Sequence, residues 1–302
     1  MEKGVNNPHD KFFKALLSDK ESAVAFLKLS LEKETLDALD LESITLVNTH
    51  FISPELEESF SDIILSAKLI NSEANCYVSI LLEHKSYKDD FVEFQVLYYL
   101  SQAYQRQIKN GEQLQLIIPI IYYHGEEKWS PPQMVDHFKV EPKLLKYVPN
   151  FERIFINLMS LTETAIDSIA DTFLHPALQL QRNRFDQQKA VENFARIVQS
   201  LSPYTSRNLL QSFFVYSISV YNFDRTSLIE IIENIPSKLK SDIMSLYDQI
   251  KYEGEIKGEI NGERKGKIEV VIKSHENSLS IEMISNITGL SETEVKQILN
   301  IN

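Results

Sequence analysis

Hydrophobic residues first recur at helical spacing over residues 8–18 and 20–34, through Phe12, Phe13, Leu16 and Leu17 and then Val24, Phe26, Leu27 and Leu31. Ser18-Asp19 reads as the break between these helices and the cap of the second. Alternation takes over at residues 41–52 and predicts a first strand, and Pro54 with Glu55, Glu57 and Glu58 forms the loop that follows. Residues 59–86 hold two runs rich in Ile, Leu, Val and Tyr, joined by the polar stretch Asn71 to Asn75, which predicts an antiparallel hairpin. After Tyr87 to Asp90 a helix runs to about Lys109 and ends at Asn110-Gly111. Its apolar face is read as Phe94, Leu97, Ser101, Tyr104 and Ile108, with Gln95, Tyr98, Tyr99, Gln102 and Arg106 on another stripe. Residues 114–123 form the most continuous apolar run and predict a strand covered on both faces. Pro119 within it calls for an edge position or a bulge.

Beyond Trp129 and Ser130-Pro131-Pro132, read as an anchored loop, the pattern turns helical, with one further strand expected in residues 151–158. Gly254, Gly258, Gly262 and Gly266 recur every four residues, giving either a charged linker or a helix that packs closely on a partner. Two short helices, Ile281 to Ile287 and Glu292 to Leu299, flank Gly289 and carry a Ser291-x-x-Glu294 capping box. They resemble a helix-turn-helix, yet residues 274–302 hold one Lys and four Glu, which favours a protein contact over DNA. The expected organisation is a core over 1–132, a mainly helical extension over 133–250, a Gly-Glu repeat over 251–273 and a small tail over 274–302.

Composition narrows the class. With 43% hydrophobic and 25% charged residues in 302, the chain can bury a full core. Cys76 is the only cysteine, so no intramolecular disulfide is possible, which fits a reducing cytoplasm. The N-terminus lacks an apolar signal core, and no run reaches the roughly eighteen apolar residues a membrane helix needs. Net charge is −12, which argues against a broad basic face for duplex DNA. Two acids around a divalent cation are nearly neutral, however, so acidity at a metal site is no obstacle.

The candidate chemistry sits in the hairpin. If its loop is Asn71 to Ala74, Ile70 faces Asn75, paired numbers sum to 145, and Asp62 lies opposite Glu83 on one face. Alternation gives Lys85 the same face as Glu83 and turns His84 to the other. Two carboxylates suit Mg²⁺, which keeps several positions for water and phosphate, while Lys85 orients the attacking water or offsets charge developing on phosphorus. Asp10 is either a helix N-cap or an acid approaching the metal; Glu55, Glu57 and Glu58 are outer ligands or a solvated loop. Gln95 either addresses a phosphate or lies on the surface, and His124 is a site or a structural histidine. The helical segment beyond 133 contains no P-loop, Gly-x-Gly signature or metal-ligand spacing.

Ser61-Asp62, followed about twenty residues later by Leu82-Glu83-His84-Lys85-Ser86, resembles the PD-(D/E)xK nuclease core, and more closely the recombination-promoting nuclease family, whose members are also labelled transposase-like. Pro8-His9-Asp10 with Phe13-Lys14, the helix around Phe94 to Tyr99, and Ile118 to Gly125 before Trp129 extend the likeness across residues 8–130. The resemblance implies an α-β-β-β-α-β core with a mixed sheet and a Mg²⁺-dependent DNA endonuclease. It makes Asp62 and Glu83 the metal ligands, His84 a donor through its backbone carbonyl and Lys85 the catalytic cation, while Gln95 is counted with the catalytic residues on its place in the helix beside the sheet. Phe60-Ser61 stands where the superfamily's name has proline, Gln95 where members often carry arginine, and Lys85 where the family often has glutamine.

The expected function is hydrolysis of DNA phosphodiester bonds with Mg²⁺, in a role in DNA recombination that only the resemblance supplies. DNA is the expected partner, weakly specific, with no membrane association and self-assembly through the C-terminal helical region. The rival expectation is a non-catalytic oligomeric interaction protein that keeps the fold, motivated by the acidic charge and the glycine repeat.

Overall fold

The computed structural model describes residues 8–47, 63–70, 75–83, 88–201, 206–221, 262, 266–277, 279–299 and 301. Helix α1 (Pro8–Leu17) buries Phe12, Phe13, Leu16 and Leu17, the stripe its spacing predicts. Asp19 caps α2 (Lys20–Ser30) by accepting from the Ser22 amide at 2.9 Å and the Ser22 hydroxyl at 2.8 Å. A short α3 (Lys33–Asp37) leads into β1 (Leu39–Val47).

Five strands then form one mixed sheet in the order β1-β2-β3-β4-β5. The strands β2 (Ile63–Leu69) and β3 (Asn75–Glu83) extend β1 antiparallel, with a register irregularity between Asp40 and Thr45. Helix α4 (Val92–Lys109) crosses over to β4 (Leu116–Tyr123), which runs parallel to β3, and β5 (Ile154–Asn157) runs parallel to β4. The element order is therefore helix, three strands, helix, strand, with β5 joining from beyond residue 132. Pro119 stands opposite Ser79 of β3, but β5 pairs only with Ile120 to Tyr123. The proline thus lies where β4 is still locally an edge, as its missing N–H demands.

The sheet separates two apolar layers. Tyr122 stacks on Phe13 at 4.5 Å and meets Phe26 edge-on at 5.7 Å, so α1 and α2 cover its face. Alternation sends Ile64, Ile117, Ile121 and Tyr123 to the opposite face, where they pack with Val92, Val96, Tyr99 and Leu100 of α4. The buried stripe of α4 is accordingly centred on Val92, Val96, Tyr99 and Gln107, while Ser101 and Ile108 face solvent. This corrects the face read from sequence. Phe94, Leu97 and Ile108 are more apolar than Ala103 and Gln107, but the amide of Gln107 is bonded on the buried side: its Oε1 accepts from the Gln115 N–H at 2.7 Å, tying the helix end to the entry of β4.

After short α5 (Glu163–Asp167), the helices α6 (Leu174–Asn183), α7 (Gln187–Ser200) and α8 (Arg207–Val220) belong to the same compact unit, residues 1–240. Phe12 of α1 stacks on Tyr216 of α8 at 4.4 Å, and the Tyr122 hydroxyl donates to Gln181 Oε1 of α6 at 2.7 Å. A second unit begins at Ser241. Its described helices α9 (residues 266–276), α10 (Ile281–Thr288) and α11 (Glu292–Leu299) enclose Val271, Ile284 and Val295. Gly289 ends α10 at φ 68°, and Ser291 and Glu294 form the expected capping box, with the Ser291 N–H donating to Glu294 Oε2 at 2.8 Å. Gly254 and Gly258 of the repeat lie outside the described residues. No helix among the described residues is long and apolar enough to cross a membrane.

Candidate active site at the end of the hairpin

Strand β3 ends at Glu83, in parallel register with Tyr123 of β4. Asp62, His84 and Lys85 lie outside the described residues, as does the Glu83 side chain. The register leading to them differs from the sequence reading. Ile63 pairs with Ile80, Leu65 with Val78 and Lys68 with Asn75, so pair numbers sum to 143 rather than 145. On its other edge β2 pairs with β1, where Leu39 takes Leu69 as its partner and the Ile70 N–H donates to the Ala38 carbonyl at 2.9 Å; the described β2–β3 ladder ends at Lys68 and Asn75. A shift of two preserves the alternation of faces.

The first turn of α4 brings described polar groups beside that strand end. Asp89 accepts from the Phe91 N–H at 2.9 Å and from Gln95 Nε2 at 2.6 Å, so the Gln95 amide is held by a local carboxylate. Glu93 is buried, receives Arg153 at 2.6 Å and the Met134 N–H at 2.5 Å, and fastens α4 to the chain entering β5. Lys88 and Glu127 pair at 2.6 Å but are largely exposed, so solvent screens the contact. Tyr123 is fully buried against Trp129 (5.0 Å) and folds back over Gly125; a Cβ built there would stand 2.1 Å from the phenol oxygen. The Tyr-Tyr-His-Gly order thus has a packing reason: only a residue without a side chain leaves room for the ring.

A second polar cluster closes the other face of the sheet. Arg184, at the end of α6, donates to His9 Nδ1 at 2.9 Å and to the His124 carbonyl at 2.7 Å, and Tyr216 lies 2.8 Å from the same His9 nitrogen. A guanidinium donor at Nδ1 needs a lone pair there, which assigns the ring proton to Nε2. Burial pushes the Tyr216 hydroxyl up to about 12, opposed by Arg184. Burial likewise holds Tyr122 well above its ordinary value. His9 and His124 are visible in the sequence. Arg184, Tyr216 and Gln181 were missed because their contacts join residues far apart along the chain, 59 positions for Tyr122 and Gln181, 60 for His124 and Arg184 and 207 for His9 and Tyr216, which no local spacing encodes. The cluster reads as the lock that fixes α1, α6 and α8 to the sheet, and among the described residues no group of three His, Cys, Asp or Glu could hold a metal ion.

The inactive recombination-promoting nuclease-like protein RpnE of Escherichia coli K12 is 25% identical over 299 residues, which cover 97% of this chain and 98% of that protein. The recombination-promoting nuclease RpnA of the same strain is 25% identical over 299 residues and 97% of each chain. Recombination-promoting nuclease RpnD of Escherichia coli O157:H7 is 31% identical over 129 residues, 42% of this chain and 49% of its own. No solved structure matches the chain. Residues 7–209 match the family described as "Putative transposase, YhgA-like", and the chain belongs to that family.

Proposed function

We propose that the protein is a metal-dependent DNA endonuclease of PD-(D/E)xK type that hydrolyses phosphodiester bonds and acts in DNA recombination. The observation that carries the reading is the registered β2–β3 ribbon ending at Glu83, covered by α4 on the face shared with Tyr123, in a chain that aligns end to end with a relative named a nuclease. Asp62, Glu83 and the His84 carbonyl are an all-oxygen donor set of the kind Mg²⁺ takes. When bound, such an ion supplies Lewis-acid stabilisation and an acidified water. Lys85 places an ammonium beside the scissile phosphate, and Gln95, restrained by Asp89, orients a phosphate oxygen or water through its amide. DNA enters the acidic protein at this end only, which makes binding weak and salt-sensitive.

Plasmid nicking measured with Mg²⁺ and with EDTA, for the native chain and for Asp62→Ala and Glu83→Ala, tests the assignment. Activity confined to the native chain with Mg²⁺ is expected; equal activity in all conditions rejects the site. One observation favours a second reading, a non-catalytic assembly protein on the same fold: the chain is as similar to RpnE, named inactive, as to RpnA. Absence of Mg²⁺ or Mn²⁺ binding to the intact chain would select it.

A further inference from the structure

Four aromatic rings form a continuous surface where α4 begins. Phe91 stacks on His137 at 4.9 Å and 27°, Phe94 meets His137 at 5.5 Å and Phe91 at 6.1 Å, and Phe138 follows at 6.3 Å from Phe94. Phe91 is 60% exposed and Phe138 41%. Isolated exposed aromatics are ordinary, but a contiguous group with its outer rings in water marks a binding surface. Its place in the fold is specific. Phe91 precedes Val92, which packs in one cluster with Tyr123, and Tyr123 is the register partner of Glu83. The rings therefore stand at the strand end where the proposed chemistry lies.

The neighbouring segment 134–147 carries three lysines against two acids in a chain of net charge −12. Glu141 is taken by Lys143 at 2.6 Å and Asp136 by the Gln133 N–H at 2.9 Å, while Lys139 follows directly on Phe138 and Lys146 sits over the ring of Tyr147, itself 74% exposed. Aromatic faces interleaved with cations are what unpaired nucleotides bind: bases stack on the rings and phosphates meet the ammonium groups, without regard to sequence. Aromatic rings also suit protein interfaces, but lysine is depleted there, so the interleaved lysines favour a polyanion.

We infer that the Phe91–Phe94–His137–Phe138 surface is a stacking platform for unpaired bases of the DNA strand held at the hairpin end, so that the substrate class is single-stranded or locally opened DNA. The inference rests on the nuclease reading and deepens it. The test is fluorescence anisotropy with a labelled oligo-dT strand in EDTA, where no cleavage intervenes, on the full chain and on Phe91→Leu, Phe138→Leu and Lys139→Gln. Each leucine variant keeps apolar bulk and is expected to weaken binding about tenfold, with an unchanged thermal midpoint showing that the fold persists. Lys139→Gln is expected to lower the salt dependence by about one phosphate contact. Oligo-dT affinity unchanged in both leucine variants overturns the platform while leaving the nuclease reading intact if plasmid nicking persists. A native chain that binds no oligo-dT overturns it as well, and nicking then tells whether the nuclease reading falls too. A dimer in sedimentation that the leucine variants dissociate, with oligo-dT binding unaffected, assigns the surface to a second copy and likewise overturns it.

Discussion

Replacing Gly125 by alanine tests whether the end of β4 is organised by the close approach of Tyr123. The glycine has no left-handed φ, so the effect is steric and comes from one ring: the new methyl would lie 2.1 Å from the phenol oxygen and 2.3 Å from Cζ. That ring cannot yield freely, being fully buried between Trp129 at 5.0 Å and Phe155 at 6.5 Å, with Trp129 and Phe155 themselves in edge contact at 5.4 Å. Overpacking of this kind costs about 1–3 kcal/mol. The expected result is a fall of that size from urea unfolding, with the slope unchanged because the same surface is exposed. Removing the ring supplies the control. Tyr123→Leu alone leaves a cavity and costs about 3 kcal/mol, but in that background the alanine meets nothing, so the double variant should be more stable than additivity predicts by at least about 1 kcal/mol. Additive costs, or a Gly125→Ala midpoint equal to the native one, would refute the packing account of this glycine.

Glu93→Gln and Arg153→Met should each lose about 3–5 kcal/mol in chemical denaturation, since each strands a buried charge, whereas Glu93→Leu with Arg153→Met should lose less than either. Alkaline pH should destabilise the fold. Burial raises the Cys76 thiol from 9.0 to about 11 and the Tyr216 hydroxyl from 10.0 to about 12, so the neutral forms favoured in the native state give stability that is complete below pH 9 and is lost as pH rises through 11 and 12. Tyrosine absorbance during a pH titration should show Tyr122 and Tyr216 ionising only together with unfolding; free ionisation near pH 10 in the folded protein would contradict their burial.

Much of this architecture was legible because each element announces itself locally. Phe12, Phe13, Leu16 and Leu17 fix α1, Asp19 fixes the start of α2, and Gly289 with Ser291 and Glu294 fixes the turn between α10 and α11. Where packing partners decide, local pattern failed. The phase of α4 depends on which stripe meets Ile64, Ile117 and Ile121, and Tyr99 won burial over Ile108 because the amide of Gln107 finds its partner at Gln115. Pro119 is acceptable in β4 only because β5 is short, a property of residues thirty-five positions further along. The polar lock around Arg184 depends on three helices converging, which no spacing within any one of them reports.

The hairpin register shows which features of the candidate site tolerate error. Asn71 to Ala74 suggests a four-residue loop and a pair sum of 145, whereas the described ladder runs from Ile63 and Ile80 to Lys68 and Asn75 at a sum of 143. A shift of one residue instead of two would have put position 83 on the face away from Ile64. Two residues keep the parity, since Ile64 and Tyr123 still meet under α4. What changes is distance. Positions directly opposite bring Cβ atoms to about 5 Å, whereas diagonal ones stand roughly 7–8 Å apart.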